Sequence, residues 1–368
     1  MFVVTNREIL EGRKDLKQVG HRPNSKGANE LRLLRADKIR GEWKVEVLAD
    51  KMDAKMKAEA RDLRAKFKMG RSVLPPPFSS YSGEYVALKT LDNIRRKKRD
   101  FLIFVHGFNN DLEAVLERAR KLSTTYRLEV IPFSWPANGG GVKGVASYKS
   151  DKRDARTSAG ALDRVLEFVG KYVTAFNEHS NESIAKEVKA DAQLRVNLEE
   201  RDEYVTRRMD EACPFRVNLL LHSMGNYLYK HLLLSDVYHA RGLLFDNVVM
   251  AAADVNNDGH DGWVERIQSR NRIYVTINED DSALKVSRAK SGQEQKARLG
   301  HYLSNLRARN VTYVNFTNAS QVGNSHAYFS DDSLKNVKVR RFFRQALRGD
   351  MAEGTLNYES AKGCFHVS

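Results

Sequence analysis

Cysteine is almost missing from this chain: two residues in 368, Cys213 and Cys364, far apart and in no metal-ligand spacing. That excludes a disulfide framework and favours a reducing compartment. No run of eighteen consecutive apolar residues occurs, so no membrane-spanning helix is expected. The first residues, Met1-Phe2-Val3-Val4-Thr5-Asn6-Arg7-Glu8, form an apolar run too short for a signal-peptide core, and an acid follows at once. The expected location is the cytoplasm of a bacterial-type cell. Walker A, His-Glu-x-x-His and clustered-cysteine patterns are lacking, so neither a metal nor a cofactor is predicted. Internal repeats and low-complexity tracts are lacking too.

What is present is material for a core. Apolar residues make up 41% of the chain and aromatics 9%, which excludes a disordered polymer. The length fits one large domain with insertions, or two small ones. The formal net charge is +15. Much of it lies before Phe101, in the helix-like stretch 51–68 and in Arg95-Arg96-Lys97-Lys98-Arg99, with a second concentration over 335–348. Such a surface suits an anionic membrane or an acidic partner, or else is a solvated face that keeps the protein soluble. No aromatic-interleaved basic motif accompanies it, which speaks against nucleic acid.

From Phe101 onward, short apolar runs alternate with amphipathic helical stretches. The runs 101–105, 128–133, 217–221, 247–252, 273–277 and 311–316 are rich in Val, Ile, Leu or Phe, as strands buried on both faces are. The lengths between them allow crossover helices, which predicts βαβ units and a mostly parallel central sheet flanked by helices. Before Phe101, residues 2–5, 43–48 and 84–88 read as strands and 50–68 as a charged helix. Residues 1–100 are therefore taken as a basic extension adding strands to the same sheet, 101–348 as the main α/β domain, and 349–368 as a C-terminal tail. Between 177 and 211, Ile184, Val188, Leu194, Leu198, Val205 and Met209 recur at helical spacing among many charges. That predicts a helical, cap-like insertion, either a lid or a solvated excursion.

The strongest chemical signal is Leu219-Leu220-Leu221-His222-Ser223-Met224-Gly225-Asn226. A buried strand ends in a serine with glycine two positions on, and a helical stretch follows; strand, sharp turn, helix is the context of a nucleophile elbow. Leu221 stands where the pattern usually has a small residue. A second signal is the strand 101–105 running into His106-Gly107-Phe108-Asn109-Asn110. Such a turn supplies one backbone N–H of an oxyanion hole and the residue after the nucleophile supplies the other, here Phe108 and Met224. His106 itself reads as turn packing.

Chain order supplies the third signal, since acid and then base should follow the serine. The strand 273–277 leads to Glu279-Asp280-Asp281, and after the strand 311–316 comes His326. The predicted set is Ser223 as nucleophile, His326 as base and Asp281 as the acid that fixes its tautomer. Rival acids are Asp254, just beyond the strand 247–252, and Asp280; rival imidazoles are His260 and His301. Gly139-Gly140-Gly141-Val142-Lys143-Gly144 contains G-x-G-x-x-G, but no tight strand-to-helix junction or downstream acid accompanies it, and it reads as a loop at the rim of the site.

Several of these pieces together resemble the bacterial α/β-hydrolases of unknown function grouped as DUF900. They are the Thr5-x-Arg7 strand, His106-Gly107-Phe108-Asn109, Phe133-Ser134-Trp135-Pro136, Tyr148-x-x-Asp151 and His222-Ser223-Met224-Gly225-Asn226. Ala252 to Val255, Asp281 through Ser287 and Ser325 through Phe329 complete the set. The resemblance spans about residues 101–330 and implies an α/β-hydrolase fold, a serine-hydrolase reaction, and Asp281 rather than Asp254 as the acid. Leu221, the insertion at 177–211 and the basic N-terminal region depart from it. The expected activity is hydrolysis of a small-molecule or lipid acyl ester through an acyl-serine, with Trp135, Phe108 and the insertion forming an apolar acyl pocket. The same three groups also cleave amides. The alternative is a catalytically weak or inactive hydrolase-fold module that engages an anionic partner or membrane surface.

Overall fold

A computed structural model describes residues 1–70, 72–137, 148–212, 216–236, 243–289 and 297–368. The Gly139–Gly144 stretch, expected as a rim loop, lies outside these described residues. The chain divides into two compact units, one made of Met1–Val47, Phe101–Arg164 and Arg216–Ser368, the other of Leu48–Asp100 and Val165–Phe215.

The first unit is built on an eleven-stranded sheet among the described residues. Its strands are β1 (Phe2–Thr5), β4 (Arg32–Ile39), β5 (Glu42–Val47), β6 (Asp100–Val105), β7 (Leu128–Ser134), β8 (Val217–His222), β9 (Phe245–Ala251), β10 (Ser269–Ile277), β11 (Thr312–Asn315), β12 (Asn357–Glu359) and β13 (Cys364–His366). The order across the sheet is β12-β13-β11-β10-β9-β8-β6-β7-β1-β4-β5. A separate hairpin joins β2 (Arg7–Ile9) to β3 (Val19–Pro23). From β6 through β8, β9, β10 and β11 to β13 the neighbours are parallel, while β12 pairs antiparallel with β13 at one edge and β4 pairs antiparallel with both β1 and β5 at the other. Every residue of β6 and β8 is buried, as the near-continuous apolar runs require of strands covered on both faces. Each of the six predicted runs is a strand. β10 alone begins well before its run, because its first residues, Ser-Arg-Asn-Arg, are polar and none of them is buried.

After β6 the chain forms helix α3 (Leu112–Tyr126) and returns beside it as β7, whereas β8 to β11 build outward on the other side. Strand order thus reverses between β6 and β8. The carboxyl ends of two strands at such a switch point open onto a crevice, where α/β proteins place their ligands. The β6 end is His106-Gly107-Phe108 and the β8 end is Ser223. Other helices of this unit are α4 (Tyr148–Thr157), α8 (Gly225–Leu233), α9 (Asp261–Val264), α10 (Ser282–Ala289) and α11 (Val337–Ala346). Between sheet and helices lies a core that includes Phe104, Leu220, Tyr274, Phe316, Tyr328, Phe329, Phe342 and Phe343.

Three expectations need correction. Residues 84–88 are not a strand but lie in helix α2 (Ser82–Lys97) of the second unit. Its buried Glu84, Leu88, Leu91 and Ile94 keep helical spacing, and an apolar run of four residues, 85–88, cannot by itself separate the two periods. Within 1–100, only 1–47 adds strands to the sheet; 48–100 belongs to the second unit. Residues 349–368 do not trail as a tail but form β12 and β13, with Cys364 fully buried.

The second unit is helical. It holds α1 (Ala54–Lys66), capped by Asp53 accepting the Met56 N–H at 2.7 Å, and α2, whose buried Glu84 pairs with Arg64. Helix α5 (Ala159–Ala190) runs into it, followed by α6 (Ala192–Val196) and α7 (Leu198–Ala212). The stretch 177–211 is helical as its spacing predicts, and Glu187 accepts from Tyr204 and Arg208 at 3.0 Å. Among the described residues no helix is long and apolar enough to cross a membrane.

Candidate functional site

The site is set by two close backbone approaches. Ser223 has φ +54, left-handed for a non-glycine residue and a strained conformation. It is held there on several sides. Its N–H donates to the Ala251 carbonyl at 3.0 Å, and its own carbonyl accepts from the Asp254 N–H at 3.2 Å. The Asn226 side chain donates to the same carbonyl at 3.0 Å and to Leu221 at 3.1 Å. A Cβ on Gly225 would stand 2.7 Å from the Val105 carbonyl oxygen and one on Gly107 would stand 2.7 Å from the Ser223 Cβ. Both positions therefore need glycine: the turn after β6 lies directly on the elbow after β8. Leu221 is accommodated in the core, between Val105 and Met250 in the sheet.

Phe108 and Met224 border this contact. Met224 opens α8, where the first amides of a helix lack intrahelical acceptors. Phe108, half-buried, meets the Tyr148 ring edge-on with centroids 5.5 Å apart. The turn between them is braced from below. Buried Arg7 donates to the Asn110 carbonyl at 2.7 Å and to Ser134 Oγ at 2.9 Å, and burial lowers its pKa to about 10. Asp151, also buried, accepts from the Asn109 N–H at 3.4 Å.

His106 stacks flat on Trp135, whose indole N–H donates to the His106 carbonyl at 2.8 Å. Burial pushes the His106 pKa well below the ordinary histidine value, so it is a neutral packing residue. Trp135 is fully buried, not the wall of an acyl pocket as expected; its polar edge is spent on the main chain of the turn.

The acid and base candidates meet. His326 Nδ1 lies 2.7 Å from Asp281 Oδ2. Asp281 is fully buried, and its other oxygen accepts the N–H groups of Ala283 and Leu284 at 2.9 and 3.0 Å, capping α10. A carboxylate fixed by the helix it caps thus faces a half-exposed imidazole. The His326 loop is anchored from several directions. Asn278 donates to the Gly323 and Ser325 carbonyls at 2.9 and 3.1 Å, Ser325 Oγ bonds Asp331, and His222 Nε2 lies 3.0 Å from the His326 carbonyl oxygen. The rings of His222 and His326 are 4.7 Å apart, which puts His326 beside the residue preceding Ser223. Among the described residues the Ser223 hydroxyl makes no hydrogen bond.

The rivals are otherwise engaged. Asp254 is buried with Arg298 at 3.1 Å and accepts from Tyr148 and Ser287 at 2.8 Å each. Asp280 is exposed. His260 is buried between the Tyr313 hydroxyl and the Asn257 carbonyl, and His301, buried, makes no hydrogen bond to Asp281. Sequence reasoning passed over Asn278, Arg118, Ser325 and the side chain of His222. No local pattern marks Asn278 or Arg118; His222 and Ser325 stood inside motifs, but nothing in the sequence tells what their side chains bond. Among the described residues no three His, Cys, Asp or Glu side chains group to hold a metal ion.

A doubly covered parallel sheet with a serine elbow at its switch point defines an α/β hydrolase. The family model described as "Alpha/beta hydrolase of unknown function (DUF900)" matches residues 86–177 and 190–341, and the chain belongs to that family. No curated protein and no solved structure matches it.

Proposed function

We propose that this chain is a serine hydrolase that cleaves carboxylic esters through an acyl-Ser223 intermediate. The observation that carries this reading is the 2.7 Å contact between Asp281 and His326 beside a serine held at φ +54. A carboxylate can only accept, so it keeps the His326 proton on Nδ1 and leaves a lone pair on Nε2 to take the hydroxyl proton. That last hydrogen bond forms in the substrate complex on this reading, since such contacts commonly tighten only there.

In the first half-reaction, Ser223 Oγ attacks the ester carbonyl and its proton passes to His326 Nε2. The carbonyl oxygen becomes an oxyanion facing the amides of Phe108 and Met224, where each donor is worth about 3 kcal/mol. Collapse breaks the C–O bond, and the alcohol leaves with the proton from His326. Water then attacks the acyl-enzyme, gives its proton to His326, and the free acid departs as that proton returns to Ser223.

A fluorophosphonate probe and 4-nitrophenyl esters of graded chain length test this together. The wild type is expected to be labelled and to turn over at least one ester, and Ser223→Ala to do neither. Labelling that survives Ser223→Ala, or a wild type inert to both reagents, overturns the reading.

A further inference from the structure

We infer that His222 is a positioning residue: its ring, held between Arg118 and the main-chain carbonyl of His326, sets where the base stands relative to the nucleophile, and does so as the neutral tautomer with its proton on Nε2. The inference rests on the reading of Ser223 and His326 as nucleophile and base, and goes beyond it by naming what brings them into register.

Hydrogen-bond chemistry fixes the tautomer. The His326 carbonyl oxygen, 3.0 Å from Nε2, can only accept, so Nε2 carries the proton. Arg118 has donors and no acceptor, and its NH1 lies 3.4 Å from Nδ1, which must therefore offer a lone pair. An imidazolium at His222 would set an N–H against the guanidinium. The ring is 3% exposed, and burial, then the charges of His326 and Arg118, push its pKa well below the ordinary histidine value.

Among the described residues, the groups packed against His222 leave no competing partner. Arg118 comes from α3, and Phe329 closes one face with ring centroids 4.9 Å apart. The same Phe329 ring carries the Arg118 guanidinium at 5.8 Å, and Asp331 on the His326 loop favours the Arg118 charge. His106, neutral, is the remaining titratable neighbour.

Geometry gives the tether its leverage. His222 is the last residue of β8, a strand with every residue buried, and Ser223 follows it directly. The base sits in a loop some hundred residues away. A side chain from the position next to the nucleophile therefore grips the peptide of the base itself. His222 never exchanges a proton with substrate; it fixes a distance. Displacements of about 1 Å in such sites cost on the order of 100-fold in rate.

Two measurements test this. In ring-15N-labelled wild type, long-range 1H–15N correlation should show His222, assigned by its loss in His222→Gln, as the Nε2–H tautomer between about pH 6 and 8. In the second, His222→Leu should be labelled by a fluorophosphonate on the order of 10- to 100-fold more slowly than wild type. His222→Gln, which keeps an amide donor and an acceptor, should recover most of that rate. An Nδ1–H or imidazolium ring, a His222→Leu labelling rate equal to wild type, or a His222→Gln no faster than His222→Leu overturns the inference. If His222→Leu does not fold, the tautomer decides. A wild type that takes no probe overturns the hydrolase reading instead, and the tautomer still decides whether His222 holds the His326 peptide.

Discussion

Asp254 and Asp281 each follow a strand end of the same sheet, and their surroundings give them opposite work. Asp281 offers one oxygen to the amides of α10 and the other to His326. Asparagine there can still cap the helix through its carbonyl oxygen but cannot hold the imidazole with a charge. Asp281→Asn should therefore lose on the order of 10,000-fold in ester turnover, as does the equivalent change in the unrelated serine-protease triad, with its melting temperature nearly unchanged. Asp254 is a buried counter-ion: its side chain and that of Arg298 are 2% and 1% exposed. Asp254→Asn removes this carboxylate from a buried guanidinium and should cost about 3 kcal/mol or more of folding stability, seen as an earlier thermal transition. Any loss of turnover should then disappear when rates are compared per folded molecule. Equal catalytic losses in both variants would undo the division of roles.

At the scale of elements, the site depends on the turn after β6 lying against the elbow after β8. The two glycines that allow it differ in what they would strike. A methyl on Gly225 would meet main-chain oxygens, Val105 at 2.7 Å and His106 at 2.9 Å, which cannot yield without moving β6. A methyl on Gly107 would meet side chains, Ser223 at 2.7 Å to Cβ and 3.2 Å to Oγ and His222 at 3.4 Å to Nδ1. Gly225→Ala should thus lose about 1–3 kcal/mol in denaturant unfolding, as overpacked cores do. Gly107→Ala should cost less stability than Gly225→Ala yet react slowly with a fluorophosphonate, because it displaces Ser223. The reverse pattern would mean that the β6 turn is the softer partner.

The same scale separates what the sequence makes legible from what it hides. Buried parallel strands are written as continuous apolar runs, so β6 to β11 are readable to within a few residues, and the elbow follows from a strand meeting Ser-x-Gly. Chain order then places Asp281 and His326. What stays hidden is side-chain traffic between distant segments. His222 and His326 are 104 residues apart, and Tyr148 and Asp254 are 106 apart. Such pairs leave no periodicity, which is why the His222 tether and the engagement of Asp254 escape a reading by pattern. Trp135 departs from its expected place for a related reason: nothing in the sequence shows that its indole N–H bonds the main chain at His106 and draws the ring into the core. Strand β4 escaped because its core face is only Leu34 and Ala36, among charged neighbours.

The whole molecule carries its basic charge largely outside the core, as on α11, where Lys338, Arg340, Arg341 and Arg344 are exposed while Val339, Phe342 and Phe343 are buried. Its titratable liability lies inside. Burial lowers the pKa of His106, His222, His260 and His301, so the native protein keeps four imidazoles neutral. In the unfolded chain each returns to about 6.5. Below that pH the unfolded state binds more protons than the native state, so unfolding free energy falls as pH falls. The loss begins near pH 6.5 and continues down to the depressed native values; above about pH 7.5 both states are neutral at these sites and the contribution vanishes. The melting temperature should therefore decline steadily between about pH 7 and pH 5, more steeply than carboxylate protonation alone allows at that end of the scale. His260→Gln, away from Ser223 and the His326 loop in sequence, should be less stable at neutral pH but show a shallower slope, because it removes one proton-uptake site. A melting temperature flat across that interval would mean that these rings are protonated in the native state, and with His222 charged the tether to the His326 peptide would fail as well.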